Sequence, residues 1–228
     1  DHTIQSSPWD VPANGQDMWW EPEVASNITE SRCIKAIETL PSQDAHGSTH
    51  HANSHFLTQN ENGDWAMFGR LSEFAYGKLG EYVPDGACRR APANSKVGWS
   101  IHYYPDGNAV ADDQVTVGIW YHDEEDNFDE EASYTQDLTL YFLDGGGDFL
   151  IPPHGKLMTQ GFHSFDHPVR LDSWQPHLHL RGVAMTMEVF DPNTGRKQVL
   201  SQASNWNAGY NHSHTYEDGF GPLIPANA

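Results

Sequence analysis

His177 and His179, separated by one leucine, are the residues whose type and spacing best suit metal chemistry. The composition of residues 171–181 predicts a strand, and side chains at i and i+2 of a strand leave the same face. Both imidazoles can then reach one metal while Leu178 and Leu180 face the core. Imidazole suits copper, zinc, iron and nickel, so the pair does not select an element. A polar strand face in a chain with 14 histidines is the alternative.

His50 and His51 are adjacent, and adjacent residues of a strand point to opposite faces. Both can reach one metal only at a bulge or at a strand end, where the alternation breaks. His102 belongs to the polar face of a strand predicted over residues 97–104, so it could supply a third imidazole from another part of the chain.

His212 and His214 repeat the i, i+2 spacing close to the end of the sequence. Asparagine, glycine and serine surround them, which favours a surface loop over a metal site. The other isolated histidines are predicted to be surface or hydrogen-bonded residues: His2, His46, His122, His154, His163 and His167. The sequence has no paired-cysteine zinc motif, no G-x-S-x-G nucleophile elbow and no phosphate-binding glycine loop.

The elements that must position these histidines are strands. Within residues 97–104, Trp99, Ile101 and Tyr103 fall on one face at period two. Further strands are predicted over residues 33–38, 115–121, 138–143, 184–190 and 198–200, and no long apolar stripe has helical spacing. The sequence predicts an all-β protein of two β-sandwich domains, residues 1–125 and 126–228.

Residues 123–131 contain seven acidic side chains in nine positions. A solvated linker between the two domains is the simpler interpretation. A calcium site is the alternative, but the regular ligand spacing of an EF-hand loop is missing.

Composition and charge limit the partners. Lys and Arg total 12 against 32 Asp and Glu, and the net charge of −20 argues against nucleic acid and anionic membranes. Apolar runs are too short for a transmembrane segment. The chain opens at Asp1 with no signal peptide, which we interpret as a processed form. Cys33 and Cys88 could form a disulfide in an exported protein or remain two buried thiols.

Several segments together resemble one known family. They are residues 174–182, WQPHLHLRG, residues 99–107, WSIHYYPDG, and Thr49-His50-His51 after a predicted strand, with turn-like stretches at 83–86 and 151–153. In this order, over most of residues 10–225, they resemble the copper type II, ascorbate-dependent monooxygenases. That family includes peptidylglycine α-hydroxylating monooxygenase and dopamine β-hydroxylase, and the likeness is closer to their bacterial relatives.

The resemblance implies two jelly-roll domains with one copper each. His50, His51 and His102 match the first copper site, and His177 and His179 match two ligands of the second, catalytic copper. Ascorbate would reduce both coppers, and a C–H bond of a small-molecule substrate would become C–OH.

The third ligand of the catalytic copper is a methionine in this family. Met185 and Met187 follow the histidine pair too closely to match it, and the sequence ends at Ala228. We therefore expect the 228-residue chain to hydroxylate poorly.

Two other functions are compatible with these residues. One is an accessory or structural subunit that keeps the monooxygenase fold and binds protein partners in a larger extracytoplasmic assembly, with some of the eight tryptophans as anchors. The other is copper storage or delivery. In each case we expect a periplasmic or secreted protein.

Overall fold

The computed structural model describes residues 1–78, 80–141, 143, 150–207, 209 and 211–228. About 44% of the chain is in strands and 2% is helical, so the predicted all-β class is confirmed. The arrangement as two tandem jelly rolls stays a prediction.

Short strands make up nearly all of the regular structure in the described residues. The first part contains β1 (His2–Gln5), β2 (Trp9–Val11), β3 (Met18–Trp20), β4 (Glu23–Ala25), β5 (Arg32–Leu40), β6 (Thr49–Gln59), β7 (Trp65–Ala75), β8 (Glu81–Tyr82), β9 (Ala87–Ala91), β10 (Lys96–Tyr103), β11 (Val110–Asp113) and β12 (Thr116–Tyr121). A short 3₁₀ helix (Glu124–Asp126) precedes β13 (Tyr134–Thr135), β14 (Val169–Arg170), β15 (Ser173–Trp174), β16 (Ala184–Asp191), β17 (Arg196–Ser204), β18 (His214–Thr215) and β19 (Leu223–Ile224).

Two sheets build the N-terminal part. One has the strand order β1-β12-β5-β9-β13, with β8 also beside β5, and the other has the order β3-β10-β6-β7, with β4 also beside β10. Most of the pairs are antiparallel, whereas β13 runs parallel to β9. Strands β2 and β11 form a small separate pair.

The two sheets share one hydrophobic core. Ile37 and Ile119 come from the first sheet, and Phe56 and Phe74 come from the second, and all are at most 2% exposed. The period-two prediction for β10 is confirmed, because the core also contains Trp99, Ile101 and Tyr103. His102 lies between the last two of these and is also buried, which brings one imidazole to the edge of a rigid sandwich.

Two predicted strands differ from the structure. Residues 171–181 form a strand only at Ser173–Trp174, because Pro176 has no N–H to donate and the Gly182 N–H closes a turn onto the His179 carbonyl at 2.8 Å. Residues 138–141 form no strand. Of the rest of that prediction, residue 142 lies outside the described residues.

The acidic segment after β12 lies against the N-terminal strands. Asp126 pairs with Lys35, Glu130 pairs with Arg90, and β13 extends the first sheet along β9. Most residues of 123–131 are exposed, as a solvated segment predicts, while two of the acidic side chains form ion pairs with β5 and β9. Its role as a linker between two domains stays a prediction.

Contacts along the chain separate two compact units. The first contains Asp1–Leu138, Gln175–Val183 and Asn205–His214, and the second contains Thr139–Trp174, Ala184–Ser204 and Thr215–Ala228. The first unit thus includes His177 and His179, although a division at residue 125 would place them in a C-terminal sandwich. That two-sandwich division stays a prediction. Within the second unit, β16 and β17 form an antiparallel hairpin and β14 pairs with β19.

Cys33 and Cys88 form a disulfide with their Cα atoms 5.0 Å apart. This confirms the disulfide and excludes the two free thiols. The bond fits an extracellular, oxidising environment. Among the described residues, no helix has the length and hydropathy needed to cross a bilayer.

Candidate metal centre

A β-bulge places His50 and His51 together at the start of β6. His51 pairs with His102 of β10, the next pair joins Thr49 to Tyr103, and His50 is the extra residue between them. An extra residue breaks the alternation of side chains, so two neighbouring histidines can serve one site. The ends of both strands are also joined by a bond from the Tyr104 N–H to the Ser48 carbonyl, 2.7 Å long. This is the bulge that the adjacent histidines required.

His102 is the most buried histidine of the site, with 2% of its surface exposed. Strand β10 pairs with β3 along the edge that does not face β6, and the register of this pairing sets His102 opposite Trp19. The indole of Trp19 stacks on the imidazole with ring centroids 4.2 Å apart and planes 4° from parallel. Asp17 Oδ2 lies 3.3 Å from His102 Nε2, within ion-pair range but without the alignment of a hydrogen bond.

His177 and His179 belong to an irregular segment rather than to a strand. The predicted alternation therefore does not hold: Leu180 is 78% exposed instead of facing the core. The turn from His179 to Gly182 and a bond from the Trp206 N–H to the Val183 carbonyl, 2.9 Å long, shape the far end of the segment.

All five predicted ligand residues lie together. We call this set the histidine cluster: His50, His51, His102, His177 and His179. Ring centroids are 5.0–5.2 Å apart among the first three residues, and His50 lies 4.9 Å from His179 and 5.5 Å from His177. The candidate ligand atoms of His50, His51, His102 and His179 all lie within 4.8 Å of one another. Two sites in separate domains were expected, whereas the structure gathers both sets within one compact unit.

Burial favours the uncharged imidazole at four members of the cluster, His50, His51, His102 and His177. Burial, helped by the neighbouring histidines, lowers the pKa of His50 to about 4 and that of His177 to about 4. Burial and the same neighbours lower the pKa of His51 to about 2. Burial also lowers the pKa of His102, although Asp17 opposes the shift. Neutral imidazoles have free lone pairs, and within the described residues His50 Nε2 and His51 Nδ1 are buried without a hydrogen-bond partner. The donor set fits a transition-metal ion.

The lowered pKa values predict how the stability of the metal-free protein depends on pH. Between about pH 6.5 and pH 4 the unfolded chain binds protons on these histidines and the folded chain does not, so the free energy of unfolding falls as the solution is acidified. Urea unfolding with a chelator present, at pH 7.5, 6.5 and 5.5, measures this slope. A His51→Gln variant should show a shallower slope. An equal slope in both proteins would contradict the assignment.

Gly182 lets the irregular segment turn tightly. A Cβ at this position would lie 2.4 Å from Leu178 Cβ and 2.9 Å from Trp206 Cδ1, closer than side chains tolerate. We expect Gly182→Ala to lower the free energy of unfolding by about 1–3 kcal/mol, the usual cost of overpacking, and to weaken metal binding by moving His179. Chemical denaturation and copper titration measure both effects.

Gly195→Ala is less suitable as a control because its φ is positive. Gly69→Ala, whose Cβ would meet nothing within 4 Å, is the better control.

The remaining histidines lie elsewhere. His2 contacts the Ser26 carbonyl at 2.6 Å, His122 stacks on Phe128, and His163 packs against Tyr141. In the described part of the chain, His212 and His214 are not grouped with the cluster. A second group of candidate ligands contains Cys33 and Cys88, but their disulfide leaves no thiolate to bind a metal.

Four residues near the cluster were not predicted from the sequence. Asp17 and Trp19 approach His102 through the pairing of β3 with β10, and Gln175 and Glu73 form a 2.6 Å hydrogen bond just before the irregular segment. Gln175 stands two positions before His177 in the sequence. This closeness to a predicted ligand is the one local signal that could have identified Gln175 as part of the site.

No model of a known protein family and no curated protein matches this chain. The likeness to copper monooxygenases therefore depends on the motifs around His50, His102 and His177. Apart from that likeness, residues from three separate parts of the chain meet in one cluster.

Proposed function

We propose that this chain binds copper through the histidine cluster and is a monooxygenase-like protein. One observation supports this most strongly: imidazoles from β6, β10 and the 175–183 segment converge, with the candidate ligand atoms of His50, His51, His102 and His179 within 4.8 Å of one another. Histidines that share no site would repel one another when protonated, and placing them together in the interior would cost desolvation free energy.

The donor set supports copper among the possible metals. Nitrogen sites bind divalent first-row metals with an affinity that peaks at Cu²⁺, and every residue of the cluster offers imidazole. The disulfide supports a periplasmic or secreted location, where such a site would be loaded outside the reducing cytosol.

Each part of the cluster contributes differently to this function. His50, His51 and His102 stand on paired strands, so they form the rigid side of the site. Trp19 covers one face of His102, which limits the access of water to that imidazole. His179 is exposed and His177 is half-buried, so the irregular segment forms the side open to a substrate. When bound, copper would supply one-electron chemistry between ascorbate and O₂.

The proposal is tested by binding and turnover together. Cu²⁺ titration followed by electron paramagnetic resonance should show nitrogen ligation that is lost in a His50→Ala/His51→Ala/His102→Ala variant. Ascorbate-dependent hydroxylation of a panel of small aliphatic and benzylic compounds should be slow, because imidazole favours Cu(II) and a thioether would favour Cu(I). A folded chain with no nitrogen-ligated copper would overturn the proposal. Fast turnover that depends on His177 and His179 would overturn the expectation of weak hydroxylation.

A second candidate function is an accessory subunit of an extracytoplasmic assembly. The observation in its favour is the exposure of large apolar side chains in the second unit, including Met158, Phe162 and Leu150, which are 96%, 89% and 85% exposed. Such side chains are common at contacts with other proteins. Copper binding without any hydroxylation would favour this function.

A further inference from the structure

We infer that Gln175 is a positioning residue, and that the largely buried carboxylate of Glu73 holds it so that His177 and His179 reach the histidine cluster. Both ends of the Gln175 amide are fixed. Its Nε2 donates to Glu73 Oε2 at 2.6 Å, and its Oε1 accepts a hydrogen bond from the Ser213 hydroxyl at 2.8 Å. A side-chain amide bonded on both its donor and its acceptor side has one preferred orientation.

Glu73 is itself held in place by a buried set of charges. Lys78 Nζ lies 3.7 Å from Glu73 Oε2 and 2.6 Å from Glu81 Oε1, and Arg89 pairs with Glu81 at 3.1 Å. These four side chains are between 4% and 17% exposed, and their two positive and two negative charges balance. A charge-assisted bond to a carboxylate in such surroundings is stronger than a neutral bond in water.

The strand register places this anchor beside the cluster. Glu73 is in β7, and β7 pairs with β6 so that Ala75, two residues after Glu73, is opposite His51. Gln175 is likewise two residues before His177. One hydrogen bond therefore joins the strand next to the bulge to the start of the irregular segment.

The irregular segment needs such an anchor because residues 175–179 take part in no strand pairing in the described structure. Its far end is fixed by the bond between Trp206 and Val183, and its near end by Gln175. Partners that orient metal ligands from outside the ligand set change metal affinity by about 10–100-fold when they are removed. We therefore expect the Gln175–Glu73 bond to set the position of both histidines.

The test compares Gln175→Leu with the control variant Gln59→Leu. Gln59 is an exposed glutamine of β6 whose side chain donates a hydrogen bond to the Gly63 carbonyl. In metal-free protein, hydrogen exchange of residues 177–183 should speed up by about tenfold in Gln175→Leu and stay unchanged in Gln59→Leu. Cu²⁺ affinity should fall by about 10–100-fold in Gln175→Leu alone, and pulsed electron paramagnetic resonance should count fewer coordinated imidazoles.

Two variants of Glu73 separate positioning from a purely structural role. Glu73→Gln keeps an oxygen that can accept from Gln175, so protection of residues 177–183 should be largely retained, whereas Glu73→Leu should lose it. The effect of Gln175→Leu/Glu73→Leu on copper affinity should not exceed the larger single effect, because both changes break one link.

Unchanged hydrogen exchange of residues 177–183 in Gln175→Leu would overturn the inference. Faster exchange spread equally over β5 and β12 would also overturn it, because the effect would then not be confined to the irregular segment. The copper measurements rest on the proposed copper function, but the exchange measurements do not. If the wild-type protein bound no copper while the exchange results held, the proposed function would fail and the anchor would stand.

Discussion

Replacing His51 with alanine should lower the affinity for Cu²⁺ by more than about 100-fold, because removal of even an outer partner of a ligand costs about 10–100-fold. The ring of His51 lies close to every other member of the cluster, as does that of His50. Its ring centroid lies 5.1 Å from that of His50, 5.0 Å from His102, 5.3 Å from His177 and 6.4 Å from His179. Isothermal titration with a competing chelator measures the change.

The matched control is His167→Ala. His167 is an exposed histidine beside Asp166, so its removal should leave copper affinity within a factor of about two. The metal-free His51→Ala chain should stay folded, because β6 keeps its pairing with β7 and β10. Equal losses of affinity in the two variants would mean that copper binds to scattered surface histidines instead of the cluster.

Replacing Lys78 with methionine should lower the free energy of unfolding by about 3–5 kcal/mol, because Glu73 loses its ion-pair partner in a largely buried site and Glu81 keeps only Arg89. The Lys78 side chain is 4% exposed and lies between Glu73 and Glu81. Methionine fills a similar volume, so the loss arises mainly from charge. Urea unfolding at constant pH gives the change.

Lys197→Met is the control for that measurement. Lys197 pairs with Glu188 at 2.6 Å on the surface, where its side chain is 63% exposed, and exposed pairs contribute little. We expect a loss of less than about 1 kcal/mol. A loss for Lys78→Met as small as this would show that the buried charges are not a stabilising set.

The strands could be predicted wherever the side chains alternate against a core. Trp99, Ile101 and Tyr103 fall on one face of β10 by spacing alone, and the core confirms them. The bulge could also be anticipated, because two adjacent histidines cannot share a face of a regular strand. These are local properties of the chain.

The arrangement of the second histidine pair could not be predicted in the same way. The pattern around His177 and His179 is typical of a strand, but Pro176 and the turn at Gly182 interrupt it. The position of the segment then depends on Glu73, 102 residues away from Gln175 in sequence. No periodicity of the chain encodes that contact, so the sequence could not predict that the rings of all five histidines lie close together.

We claim that these five histidines form one metal centre, and copper electron paramagnetic resonance tests this most directly. Cu²⁺ is titrated into wild-type protein and into a His177→Ala/His179→Ala variant. If the claim holds, the signal at the first equivalent differs between the two proteins, because both histidine sets act on the same copper. If the variant keeps the wild-type signal unchanged at the first equivalent and loses only a second, non-interacting copper, the two sets form independent sites and the claim is wrong.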